Sequence, residues 1–255
     1  MRILRTILSC IWRLWFYVWM AIVIILLSPF LLATIWSEKT YPYFYRVARI
    51  WAVMTFYGIG MRCEVKYLQK LEKGKSYMFI ANHTSMLDIM MMYMVVKVNP
   101  FVFVGKKELA KLPLFGFFYK KTCILVDRSD AKSRYQVFKE AQERLDKGLS
   151  ICIFPEGGVP DDRDIILDTF KDGAFRLAID YQIPIVPIAF GKLKFHFPFI
   201  WGIGYPGNVP ALVLPFIETK GKGQDDKKEL KTIAYNTIYE PVDTWEKEYK
   251  KKREV

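Results

Sequence analysis

Seven short, largely apolar runs constrain this chain more than any other feature. They cover residues 63–67, 77–81, 101–104, 123–126, 150–154, 185–190 and 211–216. Most are unbroken rather than alternating, which is the pattern of strands buried on both faces. Between the fourth and fifth, Val137, Phe138, Ala141 and Leu145 recur at helical spacing, and Gly148 follows as a C-cap. Strands of this kind separated by helices predict an α/β fold, a mostly parallel sheet with helices on both faces. Such folds carry their chemistry on loops beyond the strand ends. His83, Arg128 and Glu156 each follow a predicted strand closely.

The first part of the chain has a different character. Residues 14–37 contain no charge, a length that can cross or lie deep in a bilayer. Trp12, Trp15, Trp19 and Trp36 stand towards its ends, where interfacial aromatics are expected, and Arg2, Arg5 and Arg13 hold the leading end on the cytoplasmic side. A secretory signal peptide fits poorly, because the run is too long and no Ala-x-Ala-like site follows. Residues 50–61 are also uncharged but too short to span. The expectation is a helical hairpin in one leaflet, with bends at Ser28-Pro29 and around residues 38–43. Residues 1–62 then form a membrane-anchoring segment and residues 63–255 a catalytic domain.

The net charge of +12 suits an anionic membrane surface or substrate. Residues 97–134 hold nine Lys or Arg against three Asp or Glu. Nucleic acid is not expected as a partner, since no recognition motif is present. Cys10, Cys63, Cys123 and Cys152 are scattered, form no metal or disulfide pattern, and read as reduced, buried thiols.

The chemistry is concentrated in Asn82-His83-Thr84-Ser85-Met86-Leu87-Asp88. A histidine that moves a proton near neutral pH needs its tautomer fixed and its cation stabilised, and a carboxylate in reach of the ring does both. Five residues apart on one helix, two side chains point about 140° apart. His83 and Asp88 therefore meet only if His83 lies in the turn before a helix that Asp88 begins. Ser85-x-x-Asp88 also reads as a capping box, which would explain Asp88 by structure alone. Further on, the strand-like run ending at Phe154 opens into Pro155-Glu156-Gly157-Gly158, a turn suited to ligand contact. His196 lacks a carboxylate nearby in sequence and reads as structural.

Asn-His-x-x-x-x-Asp and Phe-Pro-Glu-Gly at this separation resemble the glycerolipid acyltransferase family, and within it the bacterial branch that acylates 1-acyl-glycerol-3-phosphate to phosphatidic acid. Leu125-Val126-Asp127-Arg128 and Ile183-Pro184-Ile185-Val186-Pro187-Ile188 resemble two further blocks of that family, in its order. The likeness runs from about Asn82 to Phe190. It implies acyl transfer from a thioester, acyl-CoA or acyl carrier protein, to a lysophospholipid hydroxyl, with no bound cofactor and no metal. It also implies association with the cytoplasmic face of the inner (cytoplasmic) membrane. His83 would be the base and Asp88 its partner. Lys106 and Arg128 would bind phosphate, Glu156 would hold a substrate hydroxyl, and the N–H groups of Gly157 and Gly158 would face an oxyanion. With no Gly-x-Ser-x-Gly elbow, direct attack by the acceptor is preferred to an acyl-enzyme.

One departure stands out. The family usually continues Glu-Gly-Thr-Arg-Ser, where this chain reads Glu156-Gly157-Gly158-Val159-Pro160, and Arg163 or Lys171 would have to supply the missing charge. A different lipid acceptor is the alternative within enzymes. A non-catalytic lipid-binding scaffold is the alternative outside them, and the His83–Asp88 pair speaks against it.

Overall fold

A computed structural model describes residues 2–111, 115–127 and 130–254. Helix α1 (Arg2–Ile35) and helix α2 (Tyr41–Gly58) precede strands β1 (Arg62–Tyr67) and β2 (Met78–Ala81). Helix α3 (Asp88–Val95) leads to β3 (Phe101–Lys106), α4 (Phe115–Thr122) and β4 (Ile124–Val126). Helix α5 (Ala131–Leu145), β5 (Ser150–Ile153), α6 (Gly173–Asp180) and β6 (Ile185–Phe190) come next. The chain closes with α7 (Leu193–His196), β7 (Asn208–Val213) and α8 (Lys227–Glu254).

All seven expected strands form, in one sheet ordered β1-β7-β6-β2-β5-β3-β4. Every pairing is parallel except β6 with β7. Every residue of β2 and β6 is buried, and successive side chains point to opposite faces, so both faces of the sheet centre are covered. Gly148 sits at φ +74° just past α5, the left-handed conformation its predicted capping role requires. Because β2, β3, β4, β5 and β6 run the same way, the segments after all five emerge at one edge.

The hairpin forms, but differently from expectation. Helix α1 runs unbroken through Pro29, and the reversal lies between Ile35 and Tyr41. There Thr40 Oγ1 donates to the Thr34 and Ser37 carbonyls at 2.7 and 2.6 Å. The indole N–H groups of Trp12, Trp15 and Trp19 donate to the carbonyls of Ile59, Gly58 and Met54 at 2.8, 3.1 and 2.9 Å. Trp12 and Trp15 satisfy orphan carbonyls at the end of α2 and Trp19 adds a bond in its last turns, a local need that hydropathy does not reveal. Trp19 passes so close to Gly58 that a Cβ there would lie 1.9 Å from the indole nitrogen.

The returning helix belongs to the domain. Tyr41 and Tyr45 donate to the carbonyls of Phe101 and Val96 at 2.8 and 2.7 Å, and Arg49 donates to Tyr93 at 3.0 Å. Phe16, Val23, Leu27 and Leu31 of α1 share one continuous buried core with α2 and the sheet. Residues on both sides of position 62 therefore pack together. The opposite stripe of α1, including Ile3, Ile7, Leu14, Val18 and Ile25, is exposed. By length and composition α1 is long and apolar enough to cross a membrane.

Candidate active site

The turn after β2 carries the expected pair. Asp88 opens α3 and is fully buried; its Oδ2 accepts from His83 Nδ1 at 2.8 Å and from the N–H groups of Thr84 and Ser85 at 2.6 and 2.8 Å. One oxygen thus shapes the turn and holds the ring, so the capping and the catalytic readings of Asp88 coincide. A carboxylate can only accept, which leaves the proton on Nδ1 and the lone pair on Nε2. His83 lines a cleft of about 1020 Å³. Its ring stacks on Phe154 at 4.3 Å and 16°, and Phe154 stacks on Phe103 at 5.9 Å and 17°.

Asn82 anchors this loop from the other side. Its side chain donates to the Phe190 carbonyl at 2.9 Å and accepts from the Phe190 N–H at 2.7 Å, extending the β2–β6 pairing by a side chain. Ser85 Oγ donates to the Phe197 carbonyl at 2.7 Å. Neither role was evident from sequence, because each partner lies over a hundred residues away.

Glu156 faces inward rather than towards a substrate. It is 3% exposed, and its two oxygens accept from the N–H of His83 at 2.6 Å and of Asp168 at 2.8 Å. Burial pushes its carboxyl up to about 8, the two N–H bonds offset part of that rise, and the negative Asp88 adds to it. The expectation that Glu156 holds a substrate hydroxyl gives way to a bridge between the β2 and β5 loops. Gly157 adopts φ +85°, and its N–H bonds the Phe154 carbonyl at 3.1 Å. That donor closes the turn and does not await an oxyanion.

Among the described residues, three cations border the cleft. Lys106 lies at the end of β3, with Nζ 3.5 Å from where a Cβ on Gly158 would stand. Arg163 donates to the Lys194 carbonyl at 3.3 Å. Lys194 pairs with the buried Glu246 of α8 and donates to the carbonyls of Arg163 and Ile165 at 3.1 and 3.2 Å. Lys171 is exposed and does not line the cleft, while Arg128 lies outside the described residues. Asp161 and Asp162 line the cleft beside Arg163, and its apolar wall draws on α1, α2 and α3 through Ile24, Leu31, Phe44, Ala48, Met90 and Tyr93.

The acyltransferase family model matches residues 62–191, just over half of the chain, including His83, Asp88, Lys106, Glu156 and Arg163 but not Lys194. The chain belongs to the acyltransferase family. An uncharacterized acyltransferase of Schizosaccharomyces pombe is 33% identical over 185 residues, 69% of this chain and 65% of that protein. The 1-acyl-sn-glycerol-3-phosphate acyltransferase beta of Homo sapiens is 32% identical over 174 residues, 67% of this chain and 62% of that protein. Both matches span a little under two thirds of the relative's length. The 1-acyl-sn-glycerol-3-phosphate acyltransferase of Escherichia coli is 28% identical over 193 residues, 74% of this chain and 76% of that protein. The crystal structure of the 1-acyl-sn-glycerophosphate acyltransferase PlsC from Thermotoga maritima superposes with a TM-score of 0.73, covering 94% of this chain and 97% of that one. At 21% identity it is a likeness of fold.

Of the four cysteines only Cys152 is buried; Cys10, Cys63 and Cys123 are half-buried, contrary to the expectation of four buried thiols. Burial pushes the Cys123 thiol, beside the cleft, up to about 12, and raises Cys152 well above its ordinary value. Neither is a thiolate near neutral pH. His196 is buried, its Nδ1 lies 3.0 Å from the Tyr205 carbonyl, and a Cβ on Gly207 would fall 2.3 Å from its ring. Its role is structural, as its sequence surroundings predicted.

Proposed function

We propose that this chain transfers a fatty acyl group from an acyl thioester to the sn-2 hydroxyl of 1-acyl-glycerol-3-phosphate, forming phosphatidic acid. The observation that carries the reading is the His83–Asp88 contact of 2.8 Å, with the ring lining a cleft that is apolar along one wall and carries Lys106 and Arg163, beside Asp161 and Asp162, along another. Nε2 of His83 takes the proton of the acceptor hydroxyl as its oxygen attacks the thioester carbonyl. Asp88 stabilises the imidazolium that forms. The tetrahedral centre collapses with cleavage of the C–S bond, and His83 returns the proton to the departing thiolate. Glu156 acts as a positioning residue that holds the His83 backbone. Lys106, Arg163 and Arg128 are the proposed ligands of the acceptor phosphate.

Residues 1–62 serve as the membrane anchor in this reading, on the cytoplasmic face, where acyl-CoA and acyl carrier protein are both available as donors. In-plane seating is supported by the buried stripe along α1, since a helix standing across a bilayer could not lie against the domain from Phe16 to Leu31. The test is the purified full chain offered a panel of lysophospholipids with each donor, products read by mass. Acylated 1-acyl-glycerol-3-phosphate as the dominant product is expected. Acylation of a different lysolipid alone would reassign the acceptor, and Gly158 and Val159, standing where the family pattern has Thr-Arg, make that the reading to exclude first.

A further inference from the structure

The connection between α7 and β7 carries an apolar surface that the chemistry above does not use. Phe199 is 54% exposed and Trp201 58%, and Ile200 and Ile203 beside them are exposed as well. The segment is not loose. Gly202 and Gly204 hold φ +75° and +131°, and a Cβ on Gly204 would lie 2.6 Å from the His196 carbonyl. Arg13 of α1, 2% exposed, donates to the carbonyls of Pro198 and Ile203, the latter at 3.2 Å. Its guanidinium lies 4.6 Å from the Phe197 ring centre and 5.6 Å from that of Trp201. Trp201 also stacks on Tyr17 at 6.0 Å. Four large apolar side chains are thus held outward by a buried arginine.

A fixed apolar surface of this kind marks a contact with something other than water. The loop packs against α1 through Arg13 on its buried side and the half-buried Tyr17, so its outward residues lie beside the helix that carries the exposed apolar stripe. An exposed tryptophan among apolar side chains is the residue type of the boundary between lipid headgroups and acyl chains. We propose that residues 198–203 are a second membrane-inserting element, seated at that boundary in the same leaflet as α1. The proposal rests on the anchoring role given to α1 above. Phe199 and Ile200 also line the cleft, so this seating turns the mouth of the cleft towards lipid.

The test uses the full chain with its four cysteines replaced by alanine and one environment-sensitive fluorophore per variant. The label sites are Trp201→Cys, Ile25→Cys on the outward stripe of α1, and Lys220→Cys. Lys220 follows Ile217, which pairs with Ile185 at the sheet edge opposite the site. Each protein is bound to phosphatidylcholine–phosphatidylglycerol vesicles and quenched by nitroxide lipid or by aqueous iodide. Labels at 201 and 25 should be quenched several-fold more by nitroxide lipid than the label at 220, and should be shielded from iodide. A 201 label open to iodide beside a lipid-quenched 25 label overturns the proposal and leaves the anchor intact. Both labels open to iodide overturn the anchor as well. A 201 label shielded from iodide yet untouched by nitroxide lipid means a second copy of the chain covers the loop, which also overturns the proposal.

Discussion

Replacing His83 by alanine removes the nitrogen proposed to take the acceptor's proton, yet leaves Asp88 two backbone donors, from Thr84 and Ser85. Acyl transfer should vanish, with folding free energy within about 1 kcal/mol of wild type. Asp88→Asn keeps an acceptor for the turn but loses the charge that supports the imidazolium. Its rate should fall by about 10⁴, the scale seen when a triad aspartate is neutralised. Initial rates and urea midpoints measured together check both expectations. This pair was legible because its spacing forbids contact on a regular helix and allows it across a loop–helix junction. Glu156 was legible as important but not in its direction. A carboxylate at a strand end looks the same in sequence whether it meets a ligand or a neighbouring loop, and the N–H that claims it belongs to His83, 73 residues away.

At the scale of elements, the loop after β5 is held by one buried carboxyl, and its titration has a measurable consequence. Folding raises Glu156 from the ordinary carboxylate range, roughly 4, to about 8. The folded state therefore favours the protonated form. The resulting stability is complete at acidic pH and is lost as pH climbs from the ordinary range through about 8. The wild-type melting temperature should decline over that window, each kcal/mol lost costing about 2–4 °C in a chain of this size. Glu156→Gln does not titrate. It should melt lower at acidic pH, where one backbone donor goes unmet, and show a flatter profile above it. Strand positions followed directly from unbroken apolar runs. The helices of the hairpin did so less fully: Pro29 suggested a bend that α1 does not make, and nothing in hydropathy foretold that Trp12, Trp15 and Trp19 bond carbonyls at the end of α2. Hydropathy reports what a segment avoids, not which carbonyls its side chains must satisfy.

Across the whole molecule, the Lys194–Glu246 pair joins α8 to the loop that carries Arg163, with both partners buried. Lys194→Met leaves the Glu246 carboxylate unpaired in the interior and should cost about 3–5 kcal/mol by denaturant titration. Adding Glu246→Leu should recover most of that loss, because a well-packed apolar pair replaces a buried ionic one at little net cost. Helix α1 is tied into the molecule as closely, and that has a consequence for how the enzyme meets its substrate. The cleft's apolar wall is partly the proposed anchor itself, through Tyr17, Met20, Ile24 and Leu31 of α1. On the proposed function, a lysolipid reaching His83 along that wall diffuses in two dimensions and keeps its tail out of water. Turnover then follows the mole fraction of substrate in the film rather than its molarity, and inert detergent slows the reaction by surface dilution alone.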